Sequence, residues 1–397
     1  RFLESWYNRY PDGEEPLQLV SYSRWKEELP EPFQPSQKQG LNQRGAPVSD
    51  ETRRKIYNEI KRILEKPDLA LDPEMSLAFD LGMDSLNIAE FITYLAKNFD
   101  LGELHPEELD TVGHVLAIAE GGVGARSSKE PASTFTWPQE TSRPSPVPPL
   151  GQTLPEAFLN SCERMKGFTA CGDDLVGVVG YKRLKKAALV LAQYFRTWDE
   201  ERVGVMLPAS VAAYIVIFAL QLAGKTPVMI NWTLGSRYME EMVKISGAQK
   251  ILSSERFLDR LMNAQFGTCL DRLVFLEEIR KALSLKMKLR GAYLAQCSVK
   301  RILKTVQVDE NSPCVILFTS GTEAAPKGVP LSHKNILSNQ RSALQCIDLN
   351  ARDVVYGILP PFHSFGFSVA GLFPILSGMR IAFYPDPTDS FALAEGA

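Results

Sequence analysis

The chain has 397 residues, 45% of them hydrophobic and 23% charged, with a net charge of −3 at pH 7. That length exceeds one ordinary core and predicts two or three domains of globular composition. The near-neutral balance argues against a general nucleic-acid binder, so no nucleic-acid partner is expected.

In chain order, residues 1–48 are rich in aromatics, Pro and Gln and lack a clear period. They read as the tail of a preceding domain. Residues 49–122 read as a small helical domain. Ser49 is placed to cap a helix whose apolar positions are Ile56, Ile60, Ile63 and Leu64, ended by Pro67. A loop to Asp84 leads into a second helix carrying Ile88, Ile92, Leu95 and Phe99. Pro106 opens a short third helix. Val112, Val115, Leu116 and Ala119 mark a fourth, closed by Gly121-Gly122. Four short helices make a small bundle. Between Asp68 and Glu120 this segment carries twelve carboxylates and one basic side chain, Lys97. Such a surface steers toward basic patches.

Residues 123–150 hold Pro131, Pro138, Pro144, Pro146, Pro148 and Pro149 among Ser and Thr, and read as a stiff linker without a core. From 151 to 397, apolar runs alternate with amphipathic stretches, the pattern of an α/β domain. The most apolar window, Val203 to Gly224, is broken by Pro208, Ser210 and Gln221. It reads as a buried helix, because a membrane span needs about 20 apolar residues without such breaks. Six cysteines without a C-x-x-C pair suggest neither a zinc site nor a disulfide framework. They read as buried thiols in a reducing, cytoplasmic compartment. The chain starts at Arg1 without a signal peptide, and both ends read as cut from something longer.

Leu81-Gly82-Met83-Asp84-Ser85-Leu86 resembles the acyl carrier protein family, whose Asp-Ser-Leu motif starts the second helix. The resemblance implies that Ser85 carries 4′-phosphopantetheine and that a phosphopantetheinyl transferase is a partner. The physics agrees, since the positive end of a helix dipole favours an attached phosphate.

Cys314 to Phe318 is a continuous apolar run, as in a buried strand. It leads into Thr319-Ser320-Gly321-Thr322-Glu323-Ala324-Ala325-Pro326-Lys327-Gly328. Small hydroxyl residues and Gly after a strand expose N–H groups that cradle phosphate, and Lys327 adds a mobile charge. This is not a Walker loop, because no G-K-[ST] follows. The order Thr-Ser-Gly-Thr then Pro-Lys-Gly resembles the acyl-adenylate-forming superfamily, in which this loop grips the ATP phosphates. The resemblance assigns phosphate contacts to Thr319, Ser320, Gly321, Thr322, Glu323, Lys327 and Gly328. Glu323 and Ala324 depart from the usual pattern; Glu323 matches the acyl-ACP synthetase (Aas-like) branch. Leu359-Pro360-Pro361-Phe362-His363-Ser364-Phe365-Gly366-Phe367 resembles that branch's acyl-pocket loop. The resemblance puts His363 beside the carboxylate being activated. His333 also matches family sequence and reads as shaping a helix start.

The expected fold is therefore multidomain: a four-helix carrier bundle, then the α/β N-terminal part of an acyl-adenylate-forming enzyme. The resemblance implies an ATP-dependent fatty acid–thiol ligase with Mg²⁺ on the phosphates and no residue assigned to metal. The later family motifs, including the catalytic Lys, are missing, so this stretch alone is not expected to complete adenylation. In fused proteins of this branch an acyltransferase domain lies upstream, which would account for 1–48. Two alternatives remain: a carrier and adenylation pair of a peptide or polyketide assembly line, and a non-catalytic carrier module. Residues 280–304 carry eight basic side chains among Leu, Met and Tyr. They suit peripheral contact with an anionic membrane or with the acidic carrier; a solvated helix face is the simplest reading.

Overall fold

The computed structural model describes residues 48–83, 85–99, 101, 104, 109–120, 137–138, 140, 142–261, 266–306, 308–320, 326–347 and 349–384. All of these lie in one compact unit, Ala46–Ala397. The segment 1–48 read as a domain tail lies outside the described residues except for Val48.

The helical domain begins with α1 (Asp50–Ile63). Ser49 caps it by accepting a hydrogen bond from the Thr52 N–H, with Asp50 and Glu51 in the first turn and Lys61 and Arg62 in the last. This charge order complements the helix dipole. The helix stops before Pro67, where Leu64 caps it and Glu65 turns with φ 55°. Helix α2 (Ser85–Asn98) starts at the expected serine. Its buried face is Ile88, Phe91 and Leu95; Ile92 and Phe99 are only half-buried. The spacing favours Ile92 over Phe91, and both fit a helical period. Helix α3 (Val112–Ala119) completes the core with Val112, Val115 and Leu116. The third helix expected at Pro106 and the Gly121-Gly122 stop lie outside the described residues. The loop before Ser85 is pinned by backbone bonds from Leu77 to Asp110 and from Val112 to Met75, and by a bridge between Ser76 and Thr111.

The second domain opens with α4 (Leu154–Arg164), β1 (Thr169–Asp173), β2 (Gly177–Gly180) and α5 (Tyr181–Phe195). There follow β3 (Arg202–Val205), α6 (Val211–Leu222), β4 (Thr226–Met229), α7 (Ser236–Ser246), β5 (Ile251–Ser253) and β6 (Leu273–Phe275). Next are α8 (Leu285–Leu294), β7 (Pro313–Ser320), β8 (Pro326–Ser332), α9 (His333–Cys346), β9 (Val354–Gly357) and β10 (Arg380–Phe383). One sheet has the order β6-β5-β3-β4-β7-β8, parallel except for the β7–β8 hairpin. A smaller sheet has the order β2-β1-β10-β9.

The apolar window at 203–224 is not one helix. It is strand β3, a turn at Pro208–Ser210, then α6, capped by the Ser210 hydroxyl. Proline forbids a continuous helix there. Helix α6 is buried almost all round, with Phe218 stacked on Phe158 of α4 and Tyr214 on Phe383 of β10. Gln221 survives in this apolar setting because its amide donates to the Cys314 carbonyl of β7. Among the described residues no helix is long and apolar enough to cross a membrane.

The second half of the proline-rich stretch, read from the sequence as a stiff linker without a core of its own, lies packed on the α/β domain. The Arg143 side chain is 4% exposed; it donates to the Thr169 and Gly378 carbonyls and to Glu140. Val147 donates to the Ser377 carbonyl, and Arg341 to that of Pro149. Prolines leave few backbone donors, so the strap is tied down through its carbonyls and through the arginine side chains Arg143 and Arg341. Cys162, Cys171, Cys269 and Cys314 are buried, which raises their thiol pKa values, whereas Cys297 is half-buried.

Candidate functional site

Strands β3, β4, β5, β6 and β7 run parallel, so their carboxyl ends share one edge of the large sheet. That edge is where open α/β sheets receive ligands. β7 ends there in Thr319 and Ser320. The sequence groups Thr319 to Gly328 as one loop. In the structure Pro326, Lys327 and Gly328 are instead the start of β8, which returns antiparallel beside β7. Thr319 pairs with Lys327, so both side chains share a sheet face, and both are exposed. Gly321, Thr322 and Glu323 lie outside the described residues, as does the side chain of Ser320. A hydroxyl and an ammonium side by side at a strand end suit the oxygens of a phosphate chain.

Two side chains that the sequence did not single out complete this edge. Tyr238 on α7 donates its hydroxyl hydrogen to the Thr319 carbonyl at 3.2 Å. Burial pushes its pKa up to about 12, so it stays a donor. Trp232 follows the end of β4, held in a short turn in which the Asn231 carboxamide accepts from the Thr233 N–H and hydroxyl. The signal was present as Asn231-Trp232-Thr233 directly after a buried strand, but no period distinguishes such a turn.

His363 follows β9 of the small sheet and is half-buried, at the start of the short helix Ser364–Phe367. Its ring lies 4.7 Å from that of Phe362. Phe362 meets Trp232 edge-on at 4.6 Å, and Trp232 meets Phe257 at 4.8 Å. The structure thus joins the loop after β4 of one sheet to the loop after β9 of the other. The bend is fixed from both sides. The Tyr214 hydroxyl donates to the Gly366 carbonyl at 2.8 Å, and a Cβ at Gly366 would overlap the Pro360 carbonyl oxygen. Only glycine fits so close a backbone approach. His333 is different. It is the first residue of α9, 1% exposed, and its Nδ1 accepts the Leu154 N–H at 3.1 Å. Burial depresses its pKa to about 4, so it is a neutral packing group.

Ser85 is the first residue of α2, a 14-residue helix with no acid in its first turn. A phosphodiester fits that position, because the N–H groups and dipole there favour an anion. Five residues earlier, Asp80 pairs with Arg237 of α7 at 3.1 Å, and the Arg237 guanidinium lies 4.3 Å from the centre of the Phe79 ring. The Ser76 N–H holds the Asp80 carboxylate at 2.8 Å. Beside this pair Gly235 has φ +82°, and a Cβ there would strike the Asp110 carboxylate. Burial raises the pKa of Asp110, against the attraction of His114 and Arg237. The helical and α/β domains therefore touch through Phe79, Asp80 and Asp110 on one side and Gly235 and Arg237 on the other. Among the described residues, no three His, Cys, Asp or Glu stand together as metal ligands.

The model of the AMP-binding enzyme family matches residues 158–395, and that of the phosphopantetheine attachment site matches residues 54–120. The long-chain-fatty-acid–CoA ligase of Bacillus subtilis (strain 168) is 24% identical over 237 residues, 53% of this chain and 42% of its own. Syringomycin synthase SyrB1 of Pseudomonas syringae pv. syringae is 26% identical over 229 residues, 56% of this chain and 33% of its own. The chain thus spans about two fifths or less of these curated relatives. A fatty acyl-adenylate ligase from L. pneumophila, solved with acyl adenylate and pyrophosphate, covers 59% of this chain and 40% of its own. Its TM-score is 0.48 at 19% identity. Multidomain, with an attachment site ahead of an α/β adenylate-forming domain, the chain belongs to the AMP-binding enzyme family.

Proposed function

We propose that this chain is part of a fatty acyl-carrier synthetase of the Aas-like branch that loads its own carrier domain. A fatty carboxylate attacks the α-phosphorus of ATP and expels pyrophosphate, giving acyl-AMP. When bound at Ser85, phosphopantetheine supplies a thiol that takes the acyl group as AMP leaves. Thr319, Lys327 and the loop between them hold the phosphates, and Mg²⁺ arrives with ATP and offsets their charge. His363, backed by Phe362 and Trp232, faces the carboxylate. The protein partners are a phosphopantetheinyl transferase and an acyltransferase that consumes the acyl-carrier in phospholipid acylation.

The observation that carries this reading is the contact between Asp80 and Arg237. It sets the segment leading to Ser85 against the helix whose next residue, Tyr238, holds the end of the phosphate strand. The likeness to Syringomycin synthase SyrB1 favours a second reading, an assembly-line pair activating an amino or aryl acid.

The test has two steps. The chain is incubated with coenzyme A and a promiscuous phosphopantetheinyl transferase, and its intact mass is compared with that of Ser85→Ala. One phosphopantetheine added only to the wild type supports the carrier; no addition to a folded chain ends the reading. Non-hydrolysable acyl-adenylate mimics are then compared by thermal protection of the loaded chain. Protection by fatty acyl mimics supports the fatty acid, and protection only by aminoacyl or aryl mimics supports the assembly line.

A further inference from the structure

The basic segment at 280–304 is not simply a solvated face. Helix α8 packs against α5 through Gly291, where a Cβ would lie 2.5 Å from the Val190 Cα, and Leu294 is buried on the same side. The opposite face presents Leu285, Leu289 and Tyr293, which are 71%, 63% and 56% exposed. At four-residue spacing they form one stripe about 12 Å long. A helical turn of 100° per residue puts Lys286 and Arg290 along one side of the stripe and Lys288 along the other. The Arg301 guanidinium lies 5.5 Å from the Tyr293 ring centre and adds charge at the far end. No Asp or Glu occurs between 280 and 304.

We propose that α8 seats this stripe in an anionic lipid surface, the apolar side chains entering the headgroup boundary and the basic ones pairing with lipid phosphates. An apolar row bordered by cations is the pattern of interfacial helices. Charge alone would equally suit the acidic carrier, but the carrier's described residues offer no apolar cover. Among its described residues no large hydrophobic side chain is exposed, and its contact with the α/β domain is made at Arg237 of α7. A second copy of the same face would bring like charges together. The rigid packing at Gly291 presents the stripe ready-made, so binding needs no ordering of the helix. The surface does not depend on which acid the enzyme activates.

The test is co-sedimentation of the 397-residue chain with phosphatidylcholine vesicles, with and without phosphatidylglycerol, at low and high salt. The wild type is expected to bind the anionic vesicles, more weakly at high salt, and to leave the neutral ones. Leu285→Ser with Leu289→Ser should lower partitioning tenfold or more, since each loses roughly a tenfold burial gain. Lys286→Glu, Lys288→Glu and Arg290→Glu together should lower it roughly 100-fold or more. All these positions are exposed, so unchanged thermal melting verifies the fold. Absent binding, equal binding to both vesicle types, or wild-type binding by both variants would overturn the assignment. So would expansion of the charge-reversed chain in solution scattering without vesicles, which would place the carrier on this face.

Discussion

The buried histidine at the head of α9 gives a prediction whose size follows from the structure. His333 is 1% exposed and accepts a hydrogen bond from the Leu154 N–H, so its neutral form is the folded one. Its pKa falls from 6.5 to about 4, chiefly through burial, with Asp309 pulling the other way. Below the unfolded value the unfolded chain binds a proton that the folded chain refuses, so stability is lost as pH falls. The contribution is complete above 6.5 and disappears as pH drops through about 4. A tenfold change in proton affinity corresponds to about 1.36 kcal/mol, so the loss attributable to His333 is roughly 3 kcal/mol. Urea unfolding across this range is followed by fluorescence in a chain with Trp6, Trp25 and Trp137 replaced by Phe; the remaining Trp198 and Trp232 report on the α/β domain, because 49–122 contains no tryptophan. Other carboxylates titrate in the same range, so the comparison is with His333→Asn, whose carbonyl can take over the Leu154 bond without titrating. The wild type should lose roughly 3 kcal/mol more than the variant on acidification. Parallel pH profiles would refute the reasoning.

Three further outcomes are expected. Arg143→Ala leaves the half-buried Glu140 carboxylate with only the Thr169 backbone and hydroxyl donors; with the loss of the buried Arg143 side chain it should cost about 3 kcal/mol in thermal or urea unfolding, and lysine should not restore it. Phe362→Ala removes a 4% exposed ring from between Trp232 and His363 and should cost about 3 kcal/mol by urea unfolding. In the loaded chain it should also abolish thermal protection by fatty acyl-adenylate mimics. Arg237→Glu places like charges at Asp80 and should change unfolding by under about 1 kcal/mol, yet lengthen a carrier-to-domain distance read by fluorescence transfer. Asp80→Arg in the same chain should shorten it again.

Much of the fold is legible because burial writes itself into a period. Ile56, Ile60 and Ile88 are found by spacing alone, and the continuous run 314–318 announces a strand enclosed by its neighbours. The exchange of Phe91 for Ile92 shows the limit. Adjacent apolar residues on a helix lie 100° apart, and only the position of the partner helices decides which is covered. The β7–β8 hairpin is hidden because Pro326-Lys327-Gly328 has weak strand propensity, and its pairing is imposed by β7. The packed strap is hidden because composition counts prolines as breakers but cannot see that Arg143 will find the carbonyls of Thr169 and Gly378. Tyr238 and Arg237 escape a sequence reading for a common reason: their partners are 81 and 157 positions away in the chain, and no local pattern encodes such pairs. Trp232 escapes it in the same way, since it meets Phe362 across two sheets.

The carrier contact is weak, and its weakness suits the proposed function. A largely exposed ion pair is worth about 0.2–1 kcal/mol and an exposed cation–π contact about 0.5–1. Together these give roughly 1–2 kcal/mol, whereas half-occupancy at the millimolar effective concentration of a tethered domain needs about 4. Phe79, Asp80 and Arg237 therefore select an orientation without locking it. On the proposed function, a carrier that collects an acyl group at one site and surrenders it at another has to leave each dock quickly. A tighter dock would raise occupancy at the expense of release. Replacing the pair by a buried apolar contact should accordingly speed single-turnover loading of the Ser85 arm and slow delivery to a separate acceptor. If both rates rose together, release would not be the step that this contact governs.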